Sequence, residues 1–542
     1  MTPPSARVGP VPSDQAPWRA VTALAWRQVR RGALVVTALT AAMSATAVAA
    51  HRSAVQDLED AAALEALAGN PAIRTLFGEP VSLGDPGGFA VWRTGTALAV
   101  VLSVWGLLAA TRIIRGEEDA GRWDVLLAGR VPVTTVVARH VTVLVAVQVL
   151  AGAAAFAGLA AMGAAAAGAA VHGAGLALCG IFFTAVGALT AQFFATRSAA
   201  TGAAVAAFGA SMLAKMVADG LPALGWLHWL SPFGLTALSR PYGGASLWPL
   251  LLLAAAGLAV AVTAAAASGR RDIRGGYLSP PSGRAPRLRL LGSVQAFAVR
   301  RTLRPLAAWS AGIGAYYLLI GVLTLSMTAF LTDNPRFAEL AAQAGFAGLG
   351  TVHGYTATLF ALLAVPAGAF AAVRLAALAA DEADRRLTLL FAQPVTRTRV
   401  LVAETAAVCG GLVGLVTVAG LATWVGTQAA GADLGLLAAL RGAWNVLPIA
   451  LLCLGAGALA LGWAPRAVAF IGSLPAAGGF LLKVIADSAG LPAWVALLSP
   501  FAHLAAVPDA PAHGQASLLM TAGAVLAATA GLVGYRLRDL HL

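Results

Sequence analysis

The sequence predicts an all-α polytopic membrane protein with about twelve transmembrane helices, arranged as two tandem, parallel six-helix repeats. Three observations support this class. Of the 542 residues, 59% are hydrophobic and only 11% are charged, whereas a soluble domain carries roughly 25% charged residues. Long apolar runs recur along the chain, and several motifs of the first half return in the same order in the second half.

Twelve apolar runs approach or exceed the length of about 20 residues that a helix needs to cross roughly 30 Å of hydrocarbon. Their richness in Gly and Ala suits close packing of helices within a membrane. The runs predict spans at 32–50, 92–111, 141–167, 171–196, 199–218, 247–267, 306–330, 355–380, 401–429, 437–463, 467–489 and 516–535.

Most basic residues lie in alternate connecting segments, which is the pattern of loops that stay in the cytoplasm. This bias predicts a multi-pass protein of the inner (plasma) membrane with both termini cytoplasmic. It also accounts for the formal net charge of +13. We therefore expect the protein to contact membrane lipid and not to bind nucleic acid. The first 31 residues lack the short apolar core of a cleavable signal peptide.

The repeats and spans divide the chain into four parts. A cytoplasmic N-terminal segment covers residues 1–31, and the first six-span repeat covers 32–267. A basic linker rich in Pro, Gly and Ser covers 268–305, and the second six-span repeat covers 306–542. Since six is an even number, both repeats enter the membrane in the same orientation and are predicted to be parallel.

One repeated motif contains the only two lysines of the chain. "KMVADGLPALGWLHWLSPF" begins at Lys215, and "KVIADSAGLPAWVALLSPF" begins at Lys483. Asp219 and Asp487 follow four residues later, which places lysine and aspartate on one helix face. Two interpretations remain open: an ion pair that stabilises the helix end while lysine reaches outward, or a charged rim around an outward exit for substrate.

A second repeated motif joins spans two and three of each half. "EDAGRWDVLLAGRVPVT" (118–134) matches "DEADRRLTLLFAQPVT" (381–396) in its acidic cluster, arginine, Leu-Leu pair and Pro-Val-Thr turn. A Leu-Leu pair flanked by charges is typical of a short amphipathic helix on the inner membrane surface, and the proline ends it. One copy alone could be a solvated loop, but two copies in the same order favour a docking surface.

The sequence contains no motif for ATP binding, ion coupling or catalysis. Of the 23 acidic residues, only Glu404 and Asp487 lie inside a predicted span, each in a terminal turn, so ion-gradient coupling is not expected. Phosphate-binding loops and hydrolase or metalloprotease motifs are missing from the sequence, and the three cysteines lie in apolar spans. We therefore expect no catalytic residue, metal or cofactor in this chain.

At this point the sequence resembles a known family. The 118–134 segment is similar to the stretch between spans two and three in membrane subunits of ATP-binding-cassette exporters, which reads acid, x, x, Gly-Arg, two residues, Leu-Leu-Ala, x, Pro-Val. The "RRDI" (270–273) and "RLRDL" (536–540) endings and the fused twelve-span layout resemble the polyketide-antibiotic (tetronasin-type) exporter permeases of actinobacteria. The resemblance implies a type V exporter-like fold.

The resemblance also implies which residues contact an ATPase. In the first half these are Glu118, Gly121, Arg122, Leu126, Leu127 and Pro132. In the second half they are Asp381, Arg385, Leu389, Leu390 and Pro394. In this alignment Asp384 takes the place of the motif glycine.

By the same resemblance, an amphipathic elbow helix precedes each repeat, at about 15–31 and 290–305. Short helices dip back into the outer leaflet within 219–245 and 488–515. Two copies of a separate soluble ATPase, which bind ATP and Mg, are expected to dock beneath the chain and drive export of lipophilic or amphipathic, antibiotic- or multidrug-like molecules. The candidates for the substrate cavity are Trp105, Phe208, Met212, Phe360, Phe370 and Phe480.

Two other functions remain to be weighed. A non-transporting membrane scaffold or signal transducer would also use ATPase contacts, but such proteins normally carry a large outer domain. The outer segments here are short, the longest being about 51–91. An ion-coupled carrier is disfavoured because carboxylates are missing from the middle of the spans.

Overall fold

The computed structural model describes residues 17–54, 68–129, 131–278, 288–335, 348–488 and 492–538. Within these ranges all regular structure is helical. The chain divides into two compact units, Met1–Arg284 and Ala285–Leu542, and the boundary falls in the predicted linker. Residues 1–16 of the predicted N-terminal segment and 279–287 of the linker lie outside the described residues.

In the first unit, six helices are long and apolar enough to cross a membrane. The α-helices of this unit are α1 (Pro17–Ala54), α2 (Pro71–Phe77), α3 (Pro86–Thr111), α4 (Glu117–Asp119), α5 (Arg122–Leu127), α6 (Val133–Ala161), α7 (Ala166–Phe193), α8 (Arg197–Gly220), α9 (Pro232–Leu238) and α10 (Trp248–Ser268). The six candidate spans contain α1, α3, α6, α7, α8 and α10.

The second unit contains six further candidate spans, so the described residues hold twelve in total. Two of these spans are built from more than one helix. The helices are α11 (Val294–Val322), α12 (Thr324–Asp333), α13 (Val352–Ala383), α14 (Thr388–Phe391), α15 (Arg397–Ala430), α16 (Leu436–Trp444), α17 (Leu447–Trp463), α18 (Val468–Ser473), α19 (Gly479–Ser488), α20 (Ala493–Leu497) and α21 (Gly514–Leu537). The all-helical, twelve-span prediction is confirmed, and the arrangement is consistent with a tandem repeat.

The expected elbow helices are not separate elements in the described residues. Helix α1 runs without a break through most of the first expected elbow, and α11 begins within the second and continues into span seven. The reason is visible in α1, where the buried side chains of Val21, Ala25 and Val29 continue in the same register into Ala33. An apolar stripe that keeps its helical period gives the chain no point at which to turn.

Three spans end or break elsewhere than predicted. Span three ends at Ala161, not at 167, because Gly163 adopts φ of +89°, a left-handed conformation that favours glycine. Span ten is divided between α16 and α17, with Pro448 in the first turn of the second piece. Span eleven contains a π-helical segment, Leu474–Gly478.

Short helices are present in both expected outer segments. In the first unit a 3₁₀ helix, Pro222–Leu230, precedes α9. In the second unit α20 precedes a 3₁₀ helix, Pro500–His503. Each unit thus closes its predicted outer end with short helices between spans five and six.

Close helix packing within each unit depends on glycine. A methyl group on Gly426 of α15 would lie 2.3 Å from the carbonyl oxygen of Leu318 on α11. In the first unit, a methyl group on Gly152 would lie 2.4 Å from the carbonyl oxygen of Gly173. Because lipid tails are as apolar as the side chains, van der Waals contact between such closely spaced backbones stabilises the packing.

We predict that Gly426→Ala destabilises the second unit by about 1–3 kcal/mol, since the added methyl group must push α11 and α15 apart. The matched control is Gly410→Ala on the same helix, where nothing lies within 4 Å of the added carbon and alanine favours the helix by up to about 1 kcal/mol. Thermal unfolding in detergent measures both. Equal melting temperatures for the two variants would contradict the packing described.

Candidate functional site

A short helix follows span two in the first unit. Gly121, with φ of +72°, precedes α5 and turns the chain sharply. Trp123 is buried, and its ring lies 6.2 Å from the His140 ring on span three. Val125 lies on the exposed side of the helix and is 82% exposed. Helix α5 is therefore fixed on one side and presents an apolar side chain on the other.

A buried carboxylate holds this segment in place. Both oxygens of Glu118 accept hydrogen bonds from Arg271, at 2.6 Å and 2.5 Å. Arg115 donates to the same carboxylate at 3.3 Å, and the backbone N–H of Arg274 donates at 2.6 Å. All three side chains are nearly inaccessible to solvent. We call Arg115, Glu118 and Arg271 the inner clamp of the first unit.

The inner clamp ties three spans together at their predicted inner ends. Arg115 lies in a π-helical segment, Arg112–Gly116, at the end of span two, and donates to the carbonyl oxygen of Ala195 after span four at 2.6 Å. Arg271 follows span six and donates to Gln192 of span four at 2.8 Å. The inner clamp therefore joins the segment before α5 to the ends of spans two, four and six.

The second unit has a related arrangement. Glu382, at the end of span two of this half, accepts a hydrogen bond from Arg538 after the last span. Arg538 also donates to the carbonyl oxygen of Leu461 in the fourth span of this unit at 2.9 Å. In addition, Arg301 donates to Asp381 and Glu404, at 2.5 Å and 2.8 Å. In both units the glutamate after span two thus contacts the arginine after span six, and that arginine contacts span four. We call Glu382 and Arg538 the inner clamp of the second unit.

These contacts revise the alignment of the two halves by one residue. Glu382, not Asp381, occupies the position of Glu118, because it is the acid that binds the arginine after span six. The left-handed residue that corresponds to Gly121 is Arg385, with φ of +58°, and not Asp384. The acidic cluster of the second half contains three carboxylates, so the sequence alone fits either register.

The same register extends through the short helices. Arg122 donates two hydrogen bonds to Glu117, which raise the pKa of its guanidinium, and Arg386 pairs with Asp381 at 3.5 Å. Leu387 is buried, as Trp123 is. Leu389 on α14 is 83% exposed and is therefore the counterpart of Val125.

The remaining residues predicted for ATPase coupling lie around these two helices. Leu126, Leu127 and Leu390 are half-buried on the short helices, and Arg122 and Arg385 are exposed. Pro132 and Pro394 are exposed in the turns before the third span of each half. The prediction missed Val125 and the arginines of the clamps, although the "RRDI" and "RLRDL" repeats contained Arg271 and Arg538.

The substrate-cavity candidates are divided between the two units. In the first unit Phe208 packs against Phe183 and Phe233, while Trp105 and Met212 are half-buried against the same core. In the second unit Phe360 and Phe370 are fully buried in the core, and Phe480 packs on Phe501. Burial of Phe360 and Phe370 supports packing roles for them, since they have no exposed surface to offer a substrate.

One predicted outer pair is formed as expected. The ammonium group of Lys215 lies 2.5 Å from Asp219, and both side chains are buried. His228 contacts the other oxygen of Asp219 at 2.8 Å. In the second half Lys483 is half-buried, while the side chain of Asp487 lies outside the described residues.

Comparison with known proteins decides the family. A family described as "Multidrug efflux system permease Rv1217c, C-terminal domain" matches residues 19–271 and 291–536. The chain belongs to this family of multidrug efflux permeases. The chain is also similar to the multidrug efflux system permease protein Rv1217c of Mycobacterium tuberculosis, with 27% identity over 482 residues, 86% of this chain and 85% of that protein.

Membership in the multidrug efflux permease family fits the twelve candidate spans and indicates a multi-pass membrane transporter subunit. Within the described residues, no group of three or more His, Cys, Asp or Glu side chains could hold a metal ion. The clamps and the exposed residues of α5 and α14 are therefore the features of this permease that require a functional explanation.

We predict that Glu118→Gln destabilises the first unit by about 3–5 kcal/mol, because it leaves the buried charge of Arg271 without its counter-ion, whereas Arg115 keeps Asp119 at 3.1 Å. Asp124→Asn is the matched control: it breaks a pair with Arg274 in which both side chains are at least half exposed, and such pairs contribute at most about 1 kcal/mol. Thermal unfolding in detergent compares them. If Glu118→Gln and the control had equal melting temperatures, the stabilising role of the inner clamp would be contradicted.

The revised register predicts opposite effects for two glycine substitutions in the second half. Arg385→Gly should be neutral or stabilise by up to about 1 kcal/mol, since glycine adopts positive φ without strain. Asp384→Gly, at φ of −81°, should destabilise by about 1 kcal/mol through the entropy of the unfolded chain. The same unfolding assay decides: if Asp384→Gly is the more stable variant, the sequence-based register is correct.

Proposed function

We propose that the chain is the membrane-spanning subunit of an ATP-driven efflux pump, powered by a separate soluble ATP-binding-cassette ATPase. The observation that carries this proposal is the pair of exposed apolar residues, Val125 on α5 and Leu389 on α14, each on a short helix attached to the ends of the spans. Family membership supports efflux, and the sequence motif supports an ATPase of this class as the partner.

Exposed apolar side chains on an otherwise charged surface favour binding by a protein partner. Val125 is flanked by Asp124, and Leu389 follows the charged run of Asp384, Arg385 and Arg386. Burying one such side chain contributes about 1.5–3 kcal/mol, while surrounding charges align the partner. One copy of the ATPase would bind at each helix, so the proposed complex contains two copies, which bind ATP and Mg.

The inner clamps would transmit movement of a docked ATPase to the membrane spans. Movement of an ATPase copy against α5 would pull on the segment from Arg115 to Glu118 and, through Arg271 and Gln192, on spans six and four. In the second unit, Glu382 and Arg538 would transmit movement of α14 in the same way. The proposed location, in the inner membrane with both termini cytoplasmic, places both helices on the side where ATP is available.

The proposed substrates are lipophilic or amphipathic small molecules, and membership in the polyketide-antibiotic (tetronasin-type) group is part of the same proposal. The apolar interior of each unit supports this class of substrate. Trp105, Phe208, Met212 and Phe480, which are partly exposed on their own units, remain candidates for contact with it.

The test combines binding with transport. The chain is co-expressed with the ATP-binding-cassette ATPase encoded beside it, and ATP-dependent uptake of a lipophilic dye is measured in inside-out vesicles. We expect Val125→Asp with Leu389→Asp to abolish co-purification of the ATPase and to reduce uptake at least tenfold, because two charges replace the apolar contacts. Val125→Ile with Leu389→Met keeps those contacts apolar and should retain both activities.

The outcomes separate the proposal from its alternatives. Retained binding and uptake in the double aspartate variant would show that α5 and α14 are not the docking helices. A stable complex that hydrolyses ATP without dye uptake would favour the scaffold or signal transducer. Uptake driven by a pH gradient without ATP would establish an ion-coupled carrier.

A further inference from the structure

The first unit contains a polar cavity at its predicted outer end that the proposed coupling does not explain. Its volume is about 90 Å³, which is space for several water molecules. It lies among α2, α3, α7, α8 and α9. The charged and polar groups on its wall include Lys215, Asp219, His228, His172, Glu79 and Arg240.

His172 is the group that most needs an explanation. The imidazole is more than nine-tenths buried and lines the cavity. Among the residues that the structure describes, no hydrogen bond is made by either ring nitrogen. Gly95 on span two leaves room for the ring, since a methyl group there would lie 3.1 Å from Cε1 of His172. A buried polar group without a partner costs free energy, so a partner within the cavity is expected.

Lys215 provides further unused donors. Its ammonium group has three N–H donors, and its one hydrogen bond within the described part of the chain goes to Asp219. The ammonium group lies beside Gly78, where an added methyl group would be 3.3 Å from Nζ. Each oxygen of Asp219 already has one protein partner, Lys215 for one oxygen and His228 for the other.

The unused groups define the chemistry of a ligand. Lys215 offers N–H donors and His172 offers one donor and one acceptor, while Asp219 is paired with Lys215 and His228 and Glu79 is paired with Arg240. A ligand that brings acceptor oxygens would use the remaining donors of Lys215 and His172. Trp92, Phe233 and Tyr242 line the same space and suit an aromatic or other apolar body next to those oxygens.

The side chain of Tyr242 forms part of the cavity wall and is uncharged at neutral pH. Burial, together with the charge of Asp85, raises the pKa of its phenol to about 12. The hydroxyl donates to the carbonyl oxygen of Ala165 at 3.3 Å. The phenol therefore adds no negative charge that would repel an anion at neutral pH.

We infer that the cavity at the predicted outer end of the first unit binds a small organic carboxylate, whose oxygens accept hydrogen bonds from Lys215 and His172 and whose apolar body contacts Trp92 and Tyr242. This inference goes beyond the proposed pump and does not depend on an ATPase, because the site lies within one unit and binding alone reports it.

The test uses the purified full chain in detergent and three probes of similar shape at constant ionic strength: benzoate, benzyl alcohol and benzylamine. Isothermal titration should give saturable benzoate binding at least tenfold tighter than that of either neutral or cationic probe. Lys215→Gln with Asp219→Asn, which removes both charges together, should weaken benzoate binding at least tenfold. His172→Leu should weaken it about threefold to tenfold.

Arg93→Gln is the matched control, because it removes an exposed positive charge on α3, next to Trp92, without lining the cavity. It should leave benzoate affinity within twofold. Equal affinity for benzoate and benzyl alcohol, tighter binding of benzylamine, or no saturable binding would each overturn the inference. If the double variant does not fold, unchanged benzoate affinity in His172→Leu overturns it as well.

Discussion

A carboxylate that is removed from water must keep its counter-ions, and this constraint organises one end of each unit. Glu118 is buried with Arg115 and Arg271 around it. Removing Glu118 would leave the charge of Arg271 uncompensated in a medium of low dielectric constant, while Arg115 would keep Asp119. The inner clamp therefore joins the ends of spans two, four and six to the segment that precedes the short helix.

Backbone contacts at glycine make each unit stiff behind that end. Where Gly426 faces Leu318 or Gly152 faces Gly173, no side chain lies between the helices to absorb a displacement. Close-packed interiors transmit strain because they contain little free volume. A shift imposed at the clamp is thus carried along a span, which is the property that a membrane subunit driven from one end requires.

The sequence was sufficient for the spans and for the location of the short helices, because both depend on the length and period of apolar runs. It failed where several residues of one chemical type compete for one role. Asp381, Glu382 and Asp384 each fit the acid of the motif, and only the position of Arg538 in space selects Glu382. The helix that contains span one also begins earlier than the predicted span, because the apolar stripe through Val21 and Ala25 continues into Ala33.

Other parts of the sites had no sequence signal. Phe360 and Phe370 are apolar in a chain whose inside and outside are both apolar, so hydrophobicity does not separate core from cavity. His172 is a single histidine in an apolar span, and its unpartnered nitrogens depend on Gly95 and on the neighbouring helices. Such features follow from the packing of several spans and are visible only in three dimensions.

The presence of α5 and α14 in one polypeptide has an evolutionary consequence. In an assembly of two identical chains, every substitution would appear at both short helices at once. Here each helix can change independently, and the two differ at corresponding positions: Gly121 corresponds to Arg385, and Val125 to Leu389. Both helices are always made in a fixed one-to-one ratio, and the proposed docking at one of them could change without a change at the other.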